Sequence, residues 1–83
     1  MNSDEHALDA AEEVALQAAD RLAVALEEAG FDVGRSFPAL QGSITLDATA
    51  RVELGRVTAA DAVRLATLLE RAVAQGITAP PTE

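Results

Sequence analysis

One stretch of the chain, from Ile44 to Leu54, alternates apolar and polar residues without a break. Because successive side chains of a β-strand point to opposite faces, this alternation predicts β structure with one apolar face and one solvated face. The apolar face carries Ile44, Leu46, Ala48, Ala50, Val52 and Leu54, and the solvated face carries Thr45, Asp47, Thr49, Arg51 and Glu53. No other stretch reads as β structure, so the fold is organised around residues 43–58.

Two β structures satisfy this alternation. A single long strand at 43–54 would have to pair with a second copy, because the chain offers it no partner. A hairpin that turns at residues 47–49 instead pairs Leu46 with Ala50 and Ile44 with Val52, which keeps apolar residues opposite one another. The turn lacks the glycine that such loops favour. We favour the hairpin and keep the single intermolecular strand as the alternative.

Two amphipathic helices flank this stretch. The first begins at Ser3, or at Asp9 where a capping box is present, and runs to about Ala29. The second begins after Thr58, which forms a second capping box with Asp61. At 100° per residue their apolar faces consist of Leu8, Ala11, Val14, Ala15, Ala18, Ala19, Leu22, Ala25, Leu26 and Ala29 in the first helix, and of Ala62, Leu65, Ala66, Leu69, Ala72 and Val73 in the second.

A glycine ends each helix. Gly30 and Gly76 are each followed by an apolar residue, as in left-handed helix caps, and we expect Phe31 to pack back onto Leu26. The connector at 32–42 contains the breakers Gly34, Pro38 and Gly42 and the apolar residues Val33, Phe37 and Leu40, which we expect to tuck under the helices. The tails 1–6 and 78–83 are predicted to be disordered.

These elements predict one small α+β domain over residues 1–83. Its order is α-β-β-α, with two antiparallel helices packed on one face of a β-hairpin, because a two-stranded sheet needs such cover. A chain of this size buries only roughly 60% of its unfolded surface. With two aromatic residues and no cysteine the core is thin. We therefore expect a homodimer, with the first helix supplying much of the interface.

The charge of the chain is unevenly distributed. Eight acids and one arginine give residues 1–30 a balance of −7, whereas six acids and five arginines give residues 31–83 a balance of −1. This acidity argues against direct nucleic-acid binding and against an anionic membrane surface. No segment has the roughly 20 apolar residues of a membrane span. The N-terminus lacks the basic start of a signal peptide, so we expect a cytoplasmic protein.

The sequence contains no catalytic, cofactor or metal motif. His6, the only histidine, is expected to be exposed, and no nucleophile stands at a recognisable spacing from it. The acids at the start of the first helix suit its dipole, with an acidic docking patch as the alternative. Gly55 predicts a bend in which Arg56 pairs with Glu53 or Asp61; a phosphate site at the start of the second helix is the alternative. We predict no enzymatic activity and no cofactor.

Four apolar residues lie outside the main apolar faces of the helices: Leu16, Ala23, Val24 and Val63. Single exposed apolar residues are common, but these stand beside a wide alanine-rich face and indicate a helix-mediated interface. We interpret the chain as a non-enzymatic protein–protein interaction module, a small regulator or adaptor acting as a homodimer. The alternatives are an acidic nucleic-acid mimic or antitoxin-like inhibitor of a basic partner, and a small ligand-binding protein or enzyme.

Four short segments lie between Leu26 and Ala72: Leu26…Ala29-Gly30, Phe37-Pro38-Ala39-Leu40, Val52-Glu53-Leu54-Gly55-Arg56, and Ala62…Leu65-Ala66…Leu69-Glu70. Through them the chain resembles a group of small actinobacterial proteins of uncharacterised function. In that group the loop between the two strand segments varies in length, which implies a hairpin here. The resemblance implies no activity.

Overall fold

The computed structural model describes residues 3–82, with side chains described from His6 onward. The elements are α1 (Ser3–Glu28), α2 (Val33–Ser36), β1 (Gln41–Ile44), β2 (Ala50–Glu53) and α3 (Ala59–Ala74). The α+β class and the α-β-β-α order are confirmed, with one short helix, α2, added in the connector. Residues 3–6, predicted to be disordered, belong to α1, and residues 78–82 have no regular secondary structure. Residues 1, 2 and 83 lie outside the described part.

Strands β1 and β2 pair in antiparallel, so the predicted hairpin is confirmed and the single long strand is ruled out. Ile44 pairs with Ala50, and Gly42 pairs with Val52. The predicted register, with Ile44 opposite Val52, is therefore wrong by two residues. Because the shift is an even number, the even-numbered residues of both strands still share one face.

Side chains in the turn set this register. The Asp47 carboxylate accepts hydrogen bonds from the hydroxyl groups of Thr45 and Thr49, and the Thr45 N–H donates to the Thr49 carbonyl oxygen at 3.0 Å. Ala48 has φ +65°, the left-handed conformation that glycine usually supplies. Leu46, predicted to lie on the apolar face opposite Ala50, is fully exposed at the tip of the turn because the ladder ends at Ile44 and Ala50 and leaves it outside.

Helix α1 covers the hairpin with a row of alanines. Ala11, Ala15 and Ala19 are buried at a spacing of four residues. A Cβ atom at Gly42 would lie 2.7 Å from the carbonyl carbon and oxygen of Ala15, so the helix backbone packs directly on β1. The covered face of α1 is narrower than the predicted apolar face. Four residues of the predicted face are exposed: Val14, Ala18, Ala25 and Ala29.

A small core forms where α1 ends. Its centre is made of Leu26, Phe31 and Phe37, whose two rings meet edge to face with centroids 5.5 Å apart. Gly30 has φ +105° and the Phe31 N–H donates to the Leu26 carbonyl oxygen at 3.0 Å. The predicted helix cap and the packing of Phe31 on Leu26 are confirmed. The half-buried side chains around this centre are Leu22, Val33, Leu40 and Leu65.

Helix α3 begins and ends at the predicted caps. The Thr58 side chain accepts a hydrogen bond from the Asp61 N–H at 3.1 Å, and the Ile77 N–H donates to the Ala72 carbonyl oxygen at 2.9 Å. However, no residue from Ala59 to Ala74 is buried. A helix that is fully formed but has no buried residue leaves much of its apolar face available for something outside the chain.

Two residues hold α3 to the core. Leu65 packs against the Leu26–phenylalanine cluster. The Arg64 guanidinium lies 4.6 Å from the centroid of the Phe31 ring, donates to the Gly30 carbonyl oxygen at 3.1 Å and pairs with Asp61 at 3.0 Å. Within residues 3–82, α3 forms no extensive packing with either strand. The cover of the hairpin therefore comes from α1 alone and not from both helices as predicted, and α3 contacts the turn between α1 and α2 through Arg64.

The chain is extended for its length. Its radius of gyration is 15.4 Å, whereas a compact domain of 83 residues has about 12 Å. Its accessible surface of 6572 Å² exceeds by about 1,900 Å² the surface expected for a compact monomer of this mass. The fold thus leaves a large surface without cover from the chain itself.

Candidate functional site

A continuous apolar row lies on the outer side of α3. We name it the α3 seam, and it consists of Ala62, Ala66, Leu69 and Val73. Their spacing of four, three and four residues places them within about 60° of the helix circumference. All four are exposed, and the Leu69 side chain retains 56% of its full exposure. This spacing is the one with which two helices interlock along a shared seam.

The α3 seam is exposed to solvent because a different side of α3 contacts the core. Arg64 and Leu65 point to the core, and Asp61 ties the start of the helix to α2. The Arg64 guanidinium donates to the Asp61 carboxylate at 3.0 Å. The Ser36 hydroxyl and this guanidinium lower the pKa of Asp61 below its usual value. These contacts fix the direction of α3 while leaving the seam in solvent.

Helix α3 is electrically balanced in an acidic chain. Asp61 and Glu70 offset Arg64 and Arg71, and the seam itself carries no charged residue. By contrast, α1 carries eight acids and one arginine between Ser3 and Glu28. Two copies of this chain would therefore meet with little repulsion through α3 and with strong repulsion through α1.

The four interface residues predicted from the sequence lie in different places. Leu16, Val24 and Val63 are exposed and Ala23 is half-buried. Val63 borders the α3 seam and lines a shallow cleft of about 290 Å³. The other three lie on α1, which does not pack side by side with α3 in the described part of the chain. The structure does not join the four into one surface.

Gly55 forms the predicted bend before α3. It has φ +74°, and a Cβ atom there would lie 2.5 Å from the Cβ atom of Ala39, so both the backbone conformation and the space require glycine. The predicted ion pair of Arg56 is wrong. Among the described side chains Arg56 pairs with neither Glu53 nor Asp61. Arg64 pairs with the Asp61 carboxylate, and the Gln41 side-chain amide donates to the Glu53 carboxylate.

Among the described residues, the polar side chains in the largest polar cleft near α3 bind one another and form no second kind of site. A polar cleft of about 430 Å³ lies where α2 meets α3, but Asp61 and Arg64 within it already bind one another. His6 is exposed on α1. In the described residues no three histidine, aspartate or glutamate side chains are grouped so as to hold a metal ion. Neither long helix in this range has the length and apolar content that crossing a bilayer requires.

Comparison of the chain with protein families, with curated proteins and with solved structures gave no match. The resemblance to small actinobacterial proteins stays a prediction. The candidate site is therefore interpreted from its own geometry and charge.

Sequence reasoning assigned the seam residues to a face that packs inside the chain. Two signals in the sequence favoured the outer position. The spacing of Ala62, Ala66, Leu69 and Val73 is that of a helix pair, and α3 is neutral whereas α1 is strongly acidic. Neither signal reveals on its own whether the covering element belongs to the same chain.

Proposed function

We propose that this chain is a non-enzymatic protein–protein interaction module, a small regulator or adaptor that acts as a homodimer. The observation that carries the proposal is α3, a 16-residue helix with no buried residue and an apolar row in solvent. Leaving apolar surface in water costs about 25 cal/mol per Å². Exposed apolar surface beyond scattered single residues marks sites of association in soluble proteins.

The size of the uncovered surface supports a second copy as one partner. The excess over a compact monomer is about 1,900 Å², and a stable interface needs about 800 Å² from each partner. One symmetric interface of this size would therefore cover somewhat less than half of the excess. A two-fold dimer is the commonest assembly of identical chains.

Thermal unfolding at several protein concentrations tests this proposal. When folding and association are coupled, mass action raises the unfolding midpoint with concentration. For two chains of this length, a hundredfold increase in concentration is expected to raise the midpoint by on the order of 5–10 °C. A midpoint that does not change with concentration would reject the homodimer.

A second candidate function concerns the outer face of α1. Asp9, Glu12, Glu13 and Asp20 are exposed along this helix, and they favour an acidic mimic that occupies a basic site on another protein. Such binding weakens as salt is raised, because the attraction between exposed charges is screened. A partner captured from the native host that stays bound equally well at low and high salt would reject this function.

A further inference from the structure

We propose that α3 pairs in antiparallel with α3 of a second copy through the α3 seam, in a register that sets Leu69 against Ala66 and Val73 against Ala62. This inference rests on the proposed homodimer and names its contact surface.

A second copy fits the seam for two reasons given by the structure. The uncovered surface is large enough for a stable symmetric interface, about 1,900 Å² in excess of a compact monomer. The charges also favour α3 over α1 as the contact surface. The two acids and two arginines of α3 cancel, whereas pairing through α1 would bring two helices of net charge −7 together. Burial of like charges against each other opposes association.

The register follows from the sizes of the seam residues. Ala66 and Leu69 lie equally far from the midpoint between residues 67 and 68, and so do Ala62 and Val73. A two-fold axis through this midpoint matches each small residue with a larger one, and it does so in both copies. A parallel pair would set Ala62 against Ala62 and Leu69 against Leu69, which leaves a gap at one end and crowds the other.

The same register covers exposed residues beyond the seam. Ile77, just past the end of α3, is brought toward Val57 at the start of the partner's α3. Val63 flanks the seam and reaches the edge of the contact near Glu70 of the second copy. Three exposed apolar side chains, Val57, Val63 and Ile77, thereby gain cover that the single chain does not give them.

Matched glutamate substitutions test the surface. Leu69 and Leu16 are both leucines in the interior of a long helix, and they are 56% and 54% exposed. Leu69→Glu and Leu16→Glu therefore change charge, propensity and exposure alike, but only the first lies in the seam. By size-exclusion chromatography with light scattering, the wild type and Leu16→Glu are expected at twice the chain mass of 8.6 kDa, and Leu69→Glu at 8.6 kDa.

The outcomes separate the two proposals. A monomeric wild type overturns the homodimer and with it the α3 pair. A dimeric wild type with a dimeric Leu69→Glu variant, or with a monomeric Leu16→Glu variant, leaves the homodimer standing and overturns the α3 pair. Circular dichroism of both variants checks that each retains its helices, which we expect because neither side chain is buried.

Cysteine cross-linking tests the register, since the chain has no cysteine of its own. In the antiparallel register the two Ala62→Cys sites lie about 16 Å apart along the helix axis, too far for a disulfide. In the double variant Ala62→Cys/Val73→Cys, the cysteine at position 62 of one copy lies opposite the cysteine at position 73 of the other. This variant is expected to form a covalent dimer on mild oxidation. A covalent dimer of Ala62→Cys alone would show parallel pairing and overturn the register.

Discussion

A Cβ atom added at Gly42 would lie 2.7 Å from the carbonyl oxygen of Ala15, so helix α1 rests on β1 with backbone against backbone. Gly42→Ala forces the helix and the strand apart. We expect it to lower the free energy of unfolding by about 1–3 kcal/mol, because both neighbours are main chain and cannot rotate away. Urea denaturation at one fixed protein concentration measures the effect.

Gly34→Ala is the matched control for this substitution. A Cβ atom at Gly34 meets only the Asp32 Oδ1 atom, at an ordinary contact distance of 3.5 Å. The change is expected to be neutral or to stabilise by up to about 1 kcal/mol. Equal losses at Gly34 and Gly42 would contradict the close approach of α1 to β1.

Ala48 holds a left-handed turn conformation that glycine adopts more readily. Ala48→Gly is therefore expected to raise the free energy of unfolding by about 1 kcal/mol. Ala18→Gly, at an exposed position inside α1, should lower it by about 1 kcal/mol. Differential scanning calorimetry should show the unfolding midpoints of the two variants shifted in opposite directions from that of the wild type. A lower midpoint for Ala48→Gly would contradict the turn geometry.

Arg64 joins α3 to the core through the Phe31 ring and the Gly30 carbonyl oxygen. Arg64→Met keeps much of the side-chain volume but removes the charge and the hydrogen bonds. We expect a loss of about 1–2 kcal/mol in unfolding free energy. Arg56→Met, which changes the charge equally at an exposed position, should stay within about 0.5 kcal/mol of the wild type. Similar values for the two variants would show that Arg64 does not anchor α3.

Asp61 gives the stability a dependence on pH. The Ser36 hydroxyl and Arg64 lower the pKa of Asp61 in the folded state, so the stabilisation is complete above the unfolded pKa of 3.8 and is lost as pH falls through the folded pKa. The wild type should exceed Asp61→Asn in stability at neutral pH, and this difference should shrink below about pH 4. Asp20→Asn controls for net charge. A difference that stays constant down to about pH 2 would contradict the role of the carboxylate.

Much of the fold follows from local sequence patterns. Alternation from Ile44 to Leu54 predicts the hairpin, Gly30 and Thr58 predict helix ends, and the placement of Phe31 on Leu26 follows from the cap. The register does not follow, because it depends on the Thr45 and Thr49 hydroxyl groups closing around Asp47. A turn stabilised by side chains has no glycine signature to reveal it.

The candidate site was only partly predictable. Helical periodicity identifies Leu69 and Val73 as members of an apolar face. It does not determine whether that face turns toward the rest of the chain or toward solvent. The direction of α3 depends on Arg64 reaching Phe31 and on Asp61 reaching Ser36, which are contacts between residues about 25–35 positions apart in the chain. Of the four residues predicted for the interface, Val63 lies beside the α3 seam.

Sedimentation equilibrium of the unmodified chain tests the central claim, that the surface left open by this fold is covered by a second copy. We predict a mass of twice 8.6 kDa at micromolar concentration. A single species of 8.6 kDa that persists to high micromolar concentration would contradict it.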